Sequence, residues 1–291
     1  MKILKTRYKY IFLFIACFCF VMIYIAYSPI TNTAFAQNDP PIKSPYLNLK
    51  NQIIDLLPTK KEKSNTIIKT AITTHHIPNA IKMAADVYKK IYNSDGPRKI
   101  FVVIGPDHFE ACRGQISTTG RSFQTAFGDL MVNKALMQKL LKAGATTDNK
   151  CFEREHTVLA HAPLIKRLYP QSQIVPLIFS SATKQASLDR INDLLAKDKN
   201  VFILAGIDFS HYLKYNEAKQ IDMASKDKIM KLSNQFDLKS VDSPPSLKLL
   251  IGLAKKQNLK PIFQKYANSY NFNGNADYTT GYLNFLFEGK L

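Results

Sequence analysis

From about residue 66 the chain alternates apolar runs with segments of helical periodicity. Thr66–Thr73 (TIIKTAIT) is β-branched and predicts a strand that ends at Thr74-His75-His76. Pro78 and Asn79 then open a helix in which Ala80, Met83, Ala84, Val87 and Ile91 recur three or four apart. Lys99–Gly105 is a continuous apolar run, as a strand covered on both faces requires. Short strands are predicted around Phe127–Leu130, and helices over Lys134–Ala143 and about Val158–Leu168. Gln173–Phe179 reads as a strand in which Pro176 argues for an edge or a bulge. Leu188–Lys197 is helical, and Asn200–Gly206 is a buried strand running straight into Asp208-Phe209-Ser210-His211. Helices at Tyr215–Ser233 and Ser246–Lys256 precede a last apolar strand, Tyr282–Phe287. This order predicts an α/β chain: a single three-layer αβα domain with a mostly parallel mixed sheet.

The first 65 residues follow a different pattern. Residues 10–27 form an almost unbroken uncharged apolar run behind the basic start MKILKTRYK, and Ala34 and Ala36 fit an A-x-A cleavage pattern. Residues 1–36 therefore predict a signal peptide or an N-terminal membrane anchor. Either outcome puts the body outside the cytoplasmic membrane. Residues 37–65 are polar, contain Pro40, Pro41, Pro45 and Pro58, and read as a tether; the folded domain is expected over 66–291.

Charge and cysteine content narrow the chemistry. The formal net charge is +18, but the lysines are spread along the chain, with no basic helix interleaved with aromatics. No nucleic-acid partner is expected. Of four cysteines, Cys17 and Cys19 lie in the N-terminal apolar run. Cys112 and Cys151 remain, too few for a disulfide framework but enough for a single bond in an oxidising compartment.

The six histidines are not scattered. His75 and His76, His108 in GPDHF, His156 and His161 in EREHTVLAH, and His211 in DFSHY all fall near predicted element junctions. In α/β proteins ligands bind at the carboxyl ends of strands, and histidine is both the commonest metal ligand and the usual acid/base near neutral pH. Each segment has a plainer reading, as a helix cap, a packed turn or a buried polar residue. His161 stands five residues after His156, so one regular helical face cannot present both. Glu155 next to His156, and Asp208 or Ser210 next to His211, would orient an imidazole. Two histidines and a carboxylate meeting with open positions would suit non-haem Fe(II), and zinc uses the same ligand types.

The ordered set TTHH, GPDHF, FGDL, EREHTVLAHAPLI, IVPLIF, AGIDFSHY and TTGYL resembles the MEMO family, which includes bacterial proteins called AmmeMemoRadiSam system protein B. The likeness spans roughly residues 66–290. It implies a fold similar to class III extradiol dioxygenases of the LigB type. It also implies a metal site built from a histidine of the first motif, the histidine after Gly-Pro-x, and a late cysteine. The first maps to His75 or His76, with His75 favoured, and the second to His108. The family's Glu-His-Ser motif maps to Glu155-His156-Thr157, and its Asp-Phe-(Ser/Cys)-His motif to Asp208–His211. The chain departs from the pattern at the cysteine: Ser240–Pro245 contains none, and Asp242 is the nearest possible ligand. Either Asp242 converts the site to a His-His-carboxylate centre, or the site has given up its metal.

The expectation drawn from these features is a metal-dependent redox enzyme. Its divalent metal, Fe(II) before Cu or Zn, would be held by His75, His76, His108 and Asp242. His156 and His211 would serve as acid/base residues, oriented by Glu155 and Asp208. A small molecule or a peptide would occupy the His-lined cleft. The alternatives are a non-catalytic extracytoplasmic module that binds a metal or a peptide, and a zinc hydrolase.

Overall fold

Four strongly apolar runs lie side by side at the centre of the molecule and fix the position of everything else. The computed structural model describes residues 39–62, 64–96 and 98–289. In chain order the strands are β1 (Ile42–Lys43), β2 (Ile67–Thr73), β3 (Ile100–Pro106), β4 (Ile116–Thr118), β5 (Phe123–Thr125) and β6 (Gly128–Leu130). They continue with β7 (Thr146–Thr147), β8 (Gln173–Phe179), β9 (Val201–Gly206), β10 (His211–Leu213), β11 (Lys260–Asn268) and β12 (Thr279–Gly289). The main helices are α1 (Lys50–Leu56), α2 (Ile81–Asn93), α3 (Lys134–Lys142), α4 (His156–Leu168), α5 (Gln185–Leu195), α6 (Tyr215–Met230) and α7 (Pro244–Lys256).

Among the described residues, nine strands form one mixed sheet, whose path runs β10-β12-β2-β9-β3-β8-β4-β7 with β11 on the far side of β12. The central four, β2, β9, β3 and β8, are parallel, whereas β12 and β4 flank them antiparallel. β3 is buried from Phe101 onward and β9 from Phe202. This is the continuous apolar pattern that a sheet covered on both faces demands. Helices α2 and α4 pack together on one layer, α5 and α7 on the other. The expected αβα arrangement with a mixed sheet is therefore what the chain forms.

The differences from expectation have local causes. Pro176 sits inside the sheet, opposite Val103 of β3. On its other side β8 meets only Val132, at Ile174, and β4, at Ile178 and Phe179, so the proline lies in the gap between them. A missing N–H is tolerated where no ladder bond is made. β11 carries exposed Lys260, Gln264 and Lys265 among its apolar residues and gives a weak strand signal, yet it pairs along most of β12. The segment expected as a bare tether, 37–65, carries structure: β1 pairs with β5, α1 follows, and Ile42, Ile53 and Leu57 are buried. The apolar run 10–27 and the A-x-A site lie outside the described residues. No helix among the described residues is long and apolar enough to cross a membrane.

Two glycines set how closely α4 approaches the sheet. Gly105 in β3 and Gly206 in β9 lie beneath its first turns, against Thr157 and His161. A Cβ on Gly105 would collide with Thr157 Cγ2 and fall 2.9 Å from the Gly206 carbonyl oxygen. A side chain can rotate away from such a contact, but a strand backbone cannot. Gly105→Ala should therefore lower the unfolding free energy by about 3 kcal/mol, the upper end of overpacking costs, as read from urea denaturation. A change within about 0.5 kcal/mol, the usual range for surface sites, would contradict this packing.

Candidate metal centre

Because β2, β9 and β3 are parallel neighbours, the residues that follow them emerge at one edge. They are Thr74-His75-His76 after β2, Asp208 after β9, and Asp107-His108 after β3. The turn after β2 is held firmly. Thr73 Oγ1 donates to Asn284 Oδ1 at 2.9 Å, and the Thr74 hydroxyl accepts the His76 amide at 2.9 Å. Asp242 arrives from the residue before the Ser243 cap of α7. It is locked to Asp208 by two bonds: the Asp208 amide donates to Asp242 Oδ2 at 2.9 Å, and the Asp242 amide to the Asp208 carbonyl at 3.0 Å.

The result is a buried imidazole facing two carboxylates. His75 Nδ1 lies 3.1 Å from the Gly206 carbonyl oxygen, which accepts only if Nδ1 carries the proton. His75 Nε2 then presents a lone pair to Asp208 Oδ2 at 3.6 Å and Asp242 Oδ2 at 3.7 Å. Burial, and then the neighbouring His108 and His156, hold the His75 pKa well below the usual histidine range. Burial, and then the charge of Asp208, push the Asp242 carboxyl well up. The second oxygens, Asp208 Oδ1 and Asp242 Oδ1, are buried without a hydrogen-bond partner. A buried cluster of acceptors without donors is costly and is relieved by a cation. Two metal–ligand bonds of ~2.1 Å span at most ~4.2 Å, so the 3.6 and 3.7 Å separations fit a shared ion.

His108 and His156 stand on the other side of His75. The three imidazoles offer ligand atoms all within 4.8 Å of one another, as do His75, Asp208 and Asp242. His108 and His156 stack at 4.1 Å, and His108 meets His75 edge-on at 4.6 Å. Glu155, expected beside its sequence neighbour His156, is bonded instead to His108, 47 residues away. Its Oε1 is 2.8 Å from His108 Nδ1, its Oε2 accepts the His108 amide at 3.1 Å, and His156 Nδ1 is 4.0 Å off. The reason is α4, where Glu155 is the N-cap and accepts the Thr157 amide, so its carboxylate is aimed toward the strand ends. Burial alone would raise the Glu155 pKa, but the bond to and charge of His108 outweigh it and bring it down to about 2. A carboxylate on Nδ1 leaves His108 Nε2 as the lone-pair nitrogen.

The remaining histidines separate by environment. His76 turns away from the three-ligand sets: its Nδ1 pairs with the Tyr282 hydroxyl at 2.9 Å and is 3.8 Å from Asp208. His211 begins β10 opposite Thr280, and burial lowers its pKa. His161 is buried against Gly206 with neither ring nitrogen partnered, and burial lowers its pKa to about 4. It is a neutral core residue. Tyr282 is a neighbour of the site that the sequence reading did not single out, although the TTGYL segment held it.

The sequence model of the Memo-like protein family matches residues 46–285. The chain belongs to the MEMO family. A MEMO1 family protein of Pyrobaculum aerophilum is 25% identical over 208 residues, covering 66% of this chain and 73% of its own. One from Aquifex aeolicus is 24% identical over 254 residues, covering 81% and 92%. A crystal structure of an uncharacterized protein from Escherichia coli K12 is similar with a TM-score of 0.51 at 14% identity, covering 75% of this chain and 99% of that chain. That likeness is one of fold alone. In this MEMO family chain two groups that share His75, one of three histidines and one of His75 with Asp208 and Asp242, could hold a divalent metal.

A further buried acid lies beyond the centre. Asp222 of α6 accepts the Ser210 amide at 3.0 Å, and its other oxygen lies against Gly281 of β12. Burial raises its pKa to about 6. With the folded value above the unfolded one, the native state binds the extra proton, and stability falls as pH rises between about 4 and 6. A rise of that size corresponds to about 2–3 kcal/mol. Urea denaturation across that window should show this fall in the wild type and its absence in Asp222→Asn; superimposable pH profiles would refute it.

Proposed function

We propose that the protein is a metal-dependent redox enzyme whose centre holds Fe(II) at His75, the ligand shared by the His108–His156 group and the Asp208–Asp242 group. The observation that carries this reading is the His75 imidazole: Nδ1 is committed to a backbone carbonyl and Nε2 faces two buried carboxylates. The donors are nitrogen and oxygen only, and Asp242 stands where the family resemblance implies a cysteine. Imidazole and carboxylate ligands with open positions suit non-haem Fe(II) better than Cu(I), which prefers thiolates. Bound iron would supply a site where dioxygen and an oxygen-bearing substrate meet.

The chain's own residues would do the rest. Glu155 fixes the tautomer of His108, and the Gly206 carbonyl fixes that of His75. His156 is partly exposed, stacks on His108 and has a pKa lowered by burial. It is therefore neutral near pH 7 and able to take a proton from a substrate hydroxyl. The Tyr282–His76 pair would provide a second hydrogen-bonding arm next to Asp208.

Metal analysis of protein purified under argon, followed by oxygen uptake with candidate phenols, tests this reading. One equivalent of iron and phenol-dependent uptake are expected. His75→Ala and Asp242→Ala should each weaken iron binding by at least about tenfold, more than the smallest loss seen for outer-sphere partners. A folded protein that takes up no metal would overturn the proposal. Bound metal with no uptake would favour a binding module instead.

A further inference from the structure

Beside the His108 arm, Cys112 and Cys151 are joined in a disulfide that spans 39 residues of sequence. Neither cysteine belongs to the centre described above. The bond closes a small ring with that centre. Cys112 lies four residues after His108, Cys151 four before Glu155, and the ring is completed by the two Glu155–His108 bonds. The same two segments are joined again by Arg113, whose amide and Nε both donate to Asp148 Oδ2, at 2.9 and 3.2 Å. Asp107 gathers the loop from within, accepting the amides of Ala111 and Cys112 at 3.0 Å each. Glu110, at the turn of this loop, has φ +49°, a left-handed conformation that persists only when its surroundings over-determine it.

The two sulfurs are not equivalent. Cys151 is buried, whereas Cys112 is partly exposed on the loop. The Asp107 carboxylate lies within 4.8 Å of both. A nucleophilic thiolate arriving from solvent therefore meets Cys112 first.

We propose that the Cys112–Cys151 bond is a thiol–disulfide exchange site for a dithiol reductant, and that its oxidation state sets how firmly Glu155 holds His108. In the exchange, one thiolate of the reductant attacks Cys112 Sγ. A new sulfur–sulfur bond forms to Cys112, the Cys112–Cys151 bond breaks, and its electron pair leaves on Cys151 Sγ, which takes a proton. The reductant's second thiolate then attacks its own partner sulfur and expels Cys112 as a thiolate, which is protonated in turn. The protein gains two electrons and two protons, and the reductant becomes a disulfide. With the bond open, the loop 107–113 keeps Arg113–Asp148 and the Asp107 turn but loses its covalent tie to the segment bearing Glu155. The consequence for metal binding rests on the reading above; the brace itself does not.

The oxidised wild type and Cys112→Ser/Cys151→Ser separate the two, because neither has a free thiol at positions 112 and 151 that would bind metal on its own. Amide hydrogen exchange at residues 108–113 reports the brace, and Fe(II) affinity under argon reports the centre. Faster exchange in the double variant is expected, with an affinity lower by about tenfold, the scale of an outer-sphere partner's loss. Wild type reduced by dithiothreitol should match the variant in exchange and return on reoxidation, which covers the case of a variant that does not fold. Equal exchange and equal affinity would overturn the proposal, as would a bond that dithiothreitol leaves intact in the folded protein. Faster exchange with no iron bound by either form would uphold the brace and overturn the metal reading.

Discussion

The parallel pairing of β2, β9 and β3 is the constraint on which the rest depends. Parallel neighbours end on the same side, so three stretches separated by dozens of residues deliver His75, Asp208 and His108 to one edge. Their strands are buried on both faces, and a slip of register would strand apolar side chains and ladder bonds alike. The positions of the polar groups are thus inherited from the least polar part of the molecule.

That inheritance has an electrostatic cost. Asp242, Glu155 and His75 are all placed where burial penalises ionisation. Glu155 is compensated in full by His108 and three hydrogen bonds. Asp242 is compensated only in part, by the Asp208 amide on its Oδ2, and Oδ1 of each aspartate is left without a hydrogen-bond partner. Buried carboxylates left in this condition are more at home with a cation between them than without one.

Much of this was legible in the sequence. The strands ending at Thr73, Gly105, Phe179 and Gly206 announce themselves by unbroken apolar runs, and each candidate histidine follows or flanks a predicted element. What was not legible is orientation. His75 and His76 are adjacent, and only the turn after β2 decides that the first faces Asp242 and the second Tyr282. Glu155 reads as the partner of His156, because sequence adjacency is visible and the cap geometry that hands it to His108 is not. β11 and the folded part of residues 40–57 went unseen for a different reason: their apolar residues are few and interleaved with lysines and prolines, so burial there is decided by neighbours distant in sequence.

The close approach of α4 over Gly105 and Gly206 has a consequence for how such a site can change over time. Its floor is made of backbone on one side and the first turn of a helix on the other, with no room for even a methyl group between them. Variation beside the histidines is therefore left to the surface, where Phe109 and Tyr212 stand open to solvent next to His156 and His211. A lineage could exchange those rings while the backbone beneath stays where the two glycines put it.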